Sequence, residues 1–174
     1  MKLGYKLIDK LMSNPTKMNL VALDKVLRLG IPFNAPHGFT IRSISADQVK
    51  VSLPNRKLNH NHIGGVHACA MATVGEYCAG LSLLSSFGIS KYRLIMSELS
   101  VVYTWQGRTD LEGVCSPRQI DADAVRTTLE EGGTYSQTLE TIIQEVKSGK
   151  EVARVKTTWQ LKPWNQVKTQ PASS

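Results

Sequence analysis

Cysteine is the first thing the sequence has little of. Its three cysteines, Cys69, Cys78 and Cys115, are odd in number and nowhere spaced C-x-x-C, which argues against a disulfide framework and a structural zinc knuckle. Long apolar runs are missing near the start, where Lys6, Asp9, Lys10, Lys17, Asp24 and Lys25 interrupt the apolar positions, so no cleavable leader is expected. No stretch is read as approaching transmembrane length. Consecutive Lys/Arg never exceed the pair Arg56-Lys57, and no stacking aromatics are interleaved with the charges, so no nucleic-acid partner is expected. No repeat or low-complexity segment is found. These absences leave a cytoplasmic protein with no integral membrane segment as the expectation.

What remains is an ordinary globular composition, 41% hydrophobic and 20% charged over 174 residues, enough for one packed domain. The net charge of +7 is uneven. Residues 1–60 hold 10 Lys/Arg against 3 Asp/Glu, and residues 61–174 hold 11 against 11. Such a basic segment attracts phosphates, an anionic surface or a nucleotide-bearing ligand alike, and solvated helix faces explain it equally well.

Leu3, Leu7 and Leu11, then Leu20, Leu23, Val26 and Leu27, fall at helical spacing and predict two amphipathic helices. They are broken at Ser13-Asn14-Pro15, and Thr16 can cap the second. A loop with Pro32, Asn34, Pro36 and Gly38 follows. Residues 39–44 and 48–53 alternate apolar with polar and predict a hairpin, after which a polar loop runs from Asn55 to Gly65. From Val66 to Leu84 the chain is apolar all round, with Glu76 its one formal charge, which predicts a buried helix. Four more strands are expected at 93–105, 110–117, 133–147 and 151–161, with a short helical or irregular insert at 124–131. Strands segregated from one central helix describe an α+β layer, an antiparallel sheet wrapped around that helix. Its open edges lead us to expect a homodimer or a dimer of dimers. The expected division is an N-terminal helical arm at 1–33, the domain at 34–164 and a polar, mobile tail at 165–174.

Glu76 carries the most chemical information. A lone carboxylate in an apolar helix must be paired, hydrogen-bonded or set in a cavity. A structural carboxylate, reaching out through a gap in the packing or pairing with a sheet arginine such as Arg93, is one reading, and a catalytic base with a shifted pKa is the other. Asn61, Gly64 and His67 lead into a helix start, where free amides favour an oxygen that gains negative charge. Capping alone would also explain that loop.

The spacing of Asn61, Gly64, His67, Ala68-Cys69 and Glu76 resembles that of hotdog-fold acyl-CoA thioesterases of the phenylacetyl-CoA and 4-hydroxybenzoyl-CoA type. In them Asn is followed by Gly three on, His six on, a Gly-Gly pair, and an acid fifteen on. Residues 97–103, Ser-Glu-Leu-Ser-Val-Val-Tyr, are similar to that family's central strand, and the likeness covers roughly 36–163. The chain also looks like uncharacterised hotdog relatives grouped as a domain of unknown function. The resemblance implies that Glu76 activates water or attacks the thioester carbonyl, that the Ala68 amide binds the carbonyl oxygen, that Asn61 positions water or thioester, and that His67 shapes the loop. Coenzyme A would enter as part of the substrate, with no separate cofactor. Gly64, Gly65, Lys91, Arg93 and Arg118 are the candidate contacts to it, the three cations chosen for their places near strand ends.

Eight helical steps separate Ala68 from Glu76, about 12 Å of rise and about a quarter turn, so one chain does not bring that amide and that acid to one site. Two chains meet the requirement, with the helix start of one facing the acid of the other, and the resemblance implies the same. The chain departs from the family in three ways. Ala68-Cys69 replaces the glycine pair, Met96 stands where some relatives hold a hydroxyl, with Ser97 one step off, and Thr104-Trp105 replaces a proline. A zinc site from His60, His62 and His67 lacks a fourth ligand, and Cys69 reads as a small buried hydrophobe rather than a nucleophile. No metal is therefore expected. The alternative to an enzyme is a non-catalytic hotdog protein that binds acyl-CoA or a fatty acyl ligand.

Overall fold

The computed structural model describes residues 2–168. Helices α1 (Lys2–Ser13) and α2 (Lys17–Gly30) open the chain. Thr16 caps α2, its hydroxyl accepting from the Asn19 amide at 3.2 Å. The expected loop after them is a 3-10 turn, Pro32–His37, ended by Gly38 at φ +68°. Strands β1 (Thr40–Ile44) and β2 (Val49–Leu53) form the expected hairpin. The apolar segment becomes α3 (Ala68–Phe87), and β3 (Tyr92–Tyr103), β4 (Leu111–Cys115), β5 (Tyr135–Glu145) and β6 (Glu151–Pro163) follow. The insert at 124–131 resolves into a helix, α4 (Ala122–Glu130), capped by Asp121, which accepts from the Ala124 amide at 3.0 Å.

All neighbours in the six-stranded sheet pair antiparallel, in the order β1-β2-β4-β5-β6-β3. Helix α3 lies across its concave face. Cys78 Sγ reaches the carbonyls of Val49 at 3.1 Å and Gly113 at 3.4 Å, while Thr141 Oγ1 donates to the Gly75 carbonyl at 3.0 Å. The closest approach is at Gly75, where an added Cβ would sit 2.5 Å from a Val155 methyl. Gly75→Ala should therefore overpack this contact and cost about 1–3 kcal/mol in urea unfolding. Adding Val155→Ala should recover part of the loss; a fully additive double variant would contradict this reading.

One expectation needs correcting. At 20 residues α3 is long and apolar enough to cross a bilayer, contrary to the reading that no stretch approaches that length. Its apolar surface has another use, because most of it is buried against β2, β4, β5 and β6.

The sheet manages its two edges differently. Beside β1 lies α2, whose Asp24 carboxylate accepts from the Ile41 amide at 3.0 Å and whose leucines Leu20, Leu23 and Leu27 join the common core. Strand β3 pairs with β6 along its length, but no strand covers its other edge among the described residues. Ile95, Met96, Leu99, Val102 and Tyr103 are exposed there. At the C-terminal end, in the stretch expected as a polar tail, Val167 is buried, and just before it the Trp164 indole donates to the Ile89 carbonyl at 2.8 Å. Residues 169–174 of the expected tail lie outside the described residues.

Candidate functional site

Glu76 lies in the wall of an apolar cavity of about 650 Å³ that also involves Leu27, Ile31, Leu84, Ile89 and Trp164. Burial alone pushes its carboxyl up to about 7, with no hydrogen bond or counter-charge entering. Arg93 shares the cavity wall, yet no ion pair joins it to Glu76 among the described residues, and its buried Nε has no hydrogen-bond partner. The pairing with Arg93 considered from sequence is thus not formed.

The pKa shift has a definite sign for stability. Between about 4.5 and 7 the folded chain keeps a proton that the unfolded chain has released, so stability falls as pH rises through that window. Glu76→Gln stays neutral and should be the more stable protein at about pH 8, by on the order of 3 kcal/mol, with the advantage vanishing near pH 4. Thermal or urea unfolding at the two pH values reads this. A gap that does not depend on pH would contradict it.

The second cluster gathers around the start of α3. Asn61 and Ala68 border a separate cavity of about 160 Å³, with Gly65, Tyr103, Trp105 and Gly107. Asn61 Oδ1 accepts from the amides of Ile63 and Gly65, both at 3.1 Å, so the side chain organises the turn in which Gly64 holds φ +76°. Gly65 is tight against the Gly107 carbonyl, which an added Cβ would meet at 3.1 Å. His67 caps α3, its Nδ1 accepting from the Cys69 amide at 3.0 Å. Ala68 is the first helical residue, and its amide has no acceptor among the described residues. The Tyr103 hydroxyl donates to the Ala68 carbonyl at 2.9 Å.

The two cavities share no wall residue within one chain. Strand β3 runs past both, with Tyr103 at the Ala68 end and Arg93, Leu94 and Ile95, near Trp164, in the wall of the large cavity. Its register against β6 shifts between Met96 and Glu98, leaving Ser97 in a bulge with its hydroxyl donating to the Thr158 carbonyl at 3.1 Å. Met96 lies opposite Trp159 and Leu99 opposite Thr157, both buried, so these two residues share the concave face.

Residues 21–170 match the family described as Domain of unknown function (DUF4442). The chain belongs to that family. Among curated proteins no sequence matches it. Solved structures do. A Pseudomonas aeruginosa protein of unknown function, described as a probable thioesterase, is 24% identical over 78% of this chain and 90% of its own, with a TM-score of 0.68. A mutant thioesterase from the same organism is 14% identical over 86% and 96%, at 0.68. A thioesterase family protein from Silicibacter pomeroyi is 14% identical over 80% and 95%, at 0.62. Likeness at this level shows the fold: this DUF4442 chain is a hotdog domain.

The remaining candidates are scattered. Exposed Lys91 lines neither cavity, and its backbone carbonyl accepts from the Trp164 amide. Arg118 is also outside both walls, its Nε donating to Asp47 at 2.9 Å across the β1–β2 turn. His60 Nε2 is hydrogen-bonded to Asn55 at 2.6 Å, and no three His, Cys, Asp or Glu side chains group for one ion among the described residues. Cys69 is exposed. The sequence reading missed Tyr103 as a neighbour of Ala68, although it ends the quoted strand motif. It also missed the arm's share of the large cavity, Tyr5, Leu27 and Ile31. Of these, only Leu27 belongs to the apolar spacing read from the sequence.

Proposed function

We propose that this chain is a thioesterase that hydrolyses an acyl thioester, acyl-CoA being the substrate class, at a site completed by two copies. The observation that carries the reading is the placement on one helix of a neutral-range carboxyl in an apolar cavity and a free first-turn amide bordering a different cavity. The open β3 edge supplies the way to join them. Two β3 strands paired antiparallel about a two-fold axis near Glu98 or Leu99 set Tyr103, and with it the Ala68 amide, opposite residues 93–95 of the second copy. Glu76 of that copy lies in the same cavity wall.

In this arrangement the Ala68 amide donates to the thioester carbonyl oxygen and stabilises the charge that develops on it. Glu76 takes a proton from water as the water oxygen bonds to the carbonyl carbon, and the collapsing adduct expels the thiolate, which picks up the proton. A base titrating near 7 is suited to that exchange at neutral pH. The described thioesterases of like fold support the reaction class.

The test is release of free thiol from a panel of short, long and aromatic acyl-CoA thioesters. Turnover of at least one class, with rates rising through about pH 7, is expected. Acyl-CoA binding without thiol release from any of them would leave a binding protein in place of the enzyme.

A further inference from the structure

We infer that the cavity beside Glu76 is an acyl-chain compartment for an unbranched aliphatic chain of about ten to twelve carbons, its far end set by the N-terminal helices through Tyr5 and Trp164. This rests on the thioesterase reading only for the head group that the chain carries.

The dimensions come from α3. Glu76, Gly80 and Leu84 are four residues apart on one helical stripe, all in the cavity wall. The stripe is about 12 Å long. An extended hydrocarbon with bonds of about 1.5 Å advances about 1.3 Å per carbon, so about nine carbons reach Leu84 and a few more reach Ile89 and Trp164. Volume argues against a compact aromatic group. A 150 Å³ apolar cavity suffices for benzene, and this one holds about 650 Å³. Polarity argues the same way along α3, since Leu27, Ile31, Leu81, Leu84 and Ile89 line the wall beyond Glu76, while Arg93 stands at the far end, next to Tyr92, which pairs with Pro163 beside Trp164.

The far wall is held in place. Tyr5 of α1 stacks on Trp164 with ring centres 6.0 Å apart, and the Trp164 indole is fixed to the Ile89 carbonyl at 2.8 Å. Asp9, one helical turn after Tyr5, accepts from the amides of Ile89 at 2.8 Å and Ser90 at 3.2 Å and from the Ser90 hydroxyl. Helix α1 is thereby tied to the turn that ends α3, which turns a sequence-distant arm into the stop of a molecular ruler.

Calorimetric titration of the full chain with octanoic, decanoic, dodecanoic, tetradecanoic and hexadecanoic acids tests this without any thioester. At about pH 6, below the Glu76 value of about 7, the head-group end presents a neutral carboxyl to them. Affinity should rise about fourfold per methylene up to dodecanoate and level off beyond it. Tyr5→Ala should move the break to longer acids and Leu84→Trp to shorter ones. Affinity without a break, or a break that stays at dodecanoate in both variants, overturns the compartment. A moving break in a protein that releases no thiol keeps this inference and removes the thioesterase; thiol release with no break does the reverse.

Discussion

Replacing Glu76 by glutamine is expected to lower kcat for thioester hydrolysis by about a hundred to ten thousand fold, with KM little changed. The amide has nearly the shape of the carboxyl, so the apolar wall around it should stay closed, and it cannot accept the proton of the attacking water. The stability measurement separates this loss from misfolding, since the same variant should be the more stable protein above about pH 7. Hydrolysis at the wild-type rate would remove Glu76 from the chemistry.

Leu99→Arg is expected to abolish hydrolysis to a similar degree by a different route. Leu99 is 38% exposed on the uncovered strand and lies at or next to the proposed two-fold, so each arginine would face the arginine of the other copy. Two like charges placed together in a desolvated contact oppose association, while a monomer can hold the same side chain in water. Sedimentation should report monomers, circular dichroism an unchanged fold, and the thiol assay a loss that adding more protein partly reverses. A dimeric Leu99→Arg protein, or an active monomer, would show that β3 is not the joining edge.

Much of this was legible from residue pattern because the pattern reflects burial. Alternation gave the hairpin and the long strands, and the lone charge of Glu76 in an apolar helix left pairing, hydrogen bonding or a cavity open, of which the structure shows the cavity. Strict alternation failed at Ser97, where β3 holds one residue more than β6, a mismatch set by the neighbouring strand. The bulge leaves Ser97 unpaired, where strict alternation had put it one step beyond Met96 on the other face. The arm's part in the cavity was hidden for a related reason. Asp9 meets Ile89 80 residues on and Tyr5 meets Trp164 near the other end of the chain, contacts that local spacing does not reveal, and on α1 that spacing picked Leu7, which is exposed, where Ile8, Leu11 and Met12 are buried. Likewise, neither Lys91 nor Arg118 lines either of these two cavities, because nearness to a strand end does not determine which way a cation is drawn.

A site completed by two copies is best tested by mixing two dead proteins. Glu76→Gln lacks the base. Ala68→Pro lacks only the amide donor, since proline is well tolerated at a first helical position and His67 before it is already extended. In a mixed dimer, one site joins the intact Glu76 of one chain to the intact Ala68 amide of the other. Equal mixing after subunit exchange should restore about a quarter of wild-type thiol release, half the dimers being mixed with one intact site of two. Mixed dimers that form and remain inactive would contradict the shared site.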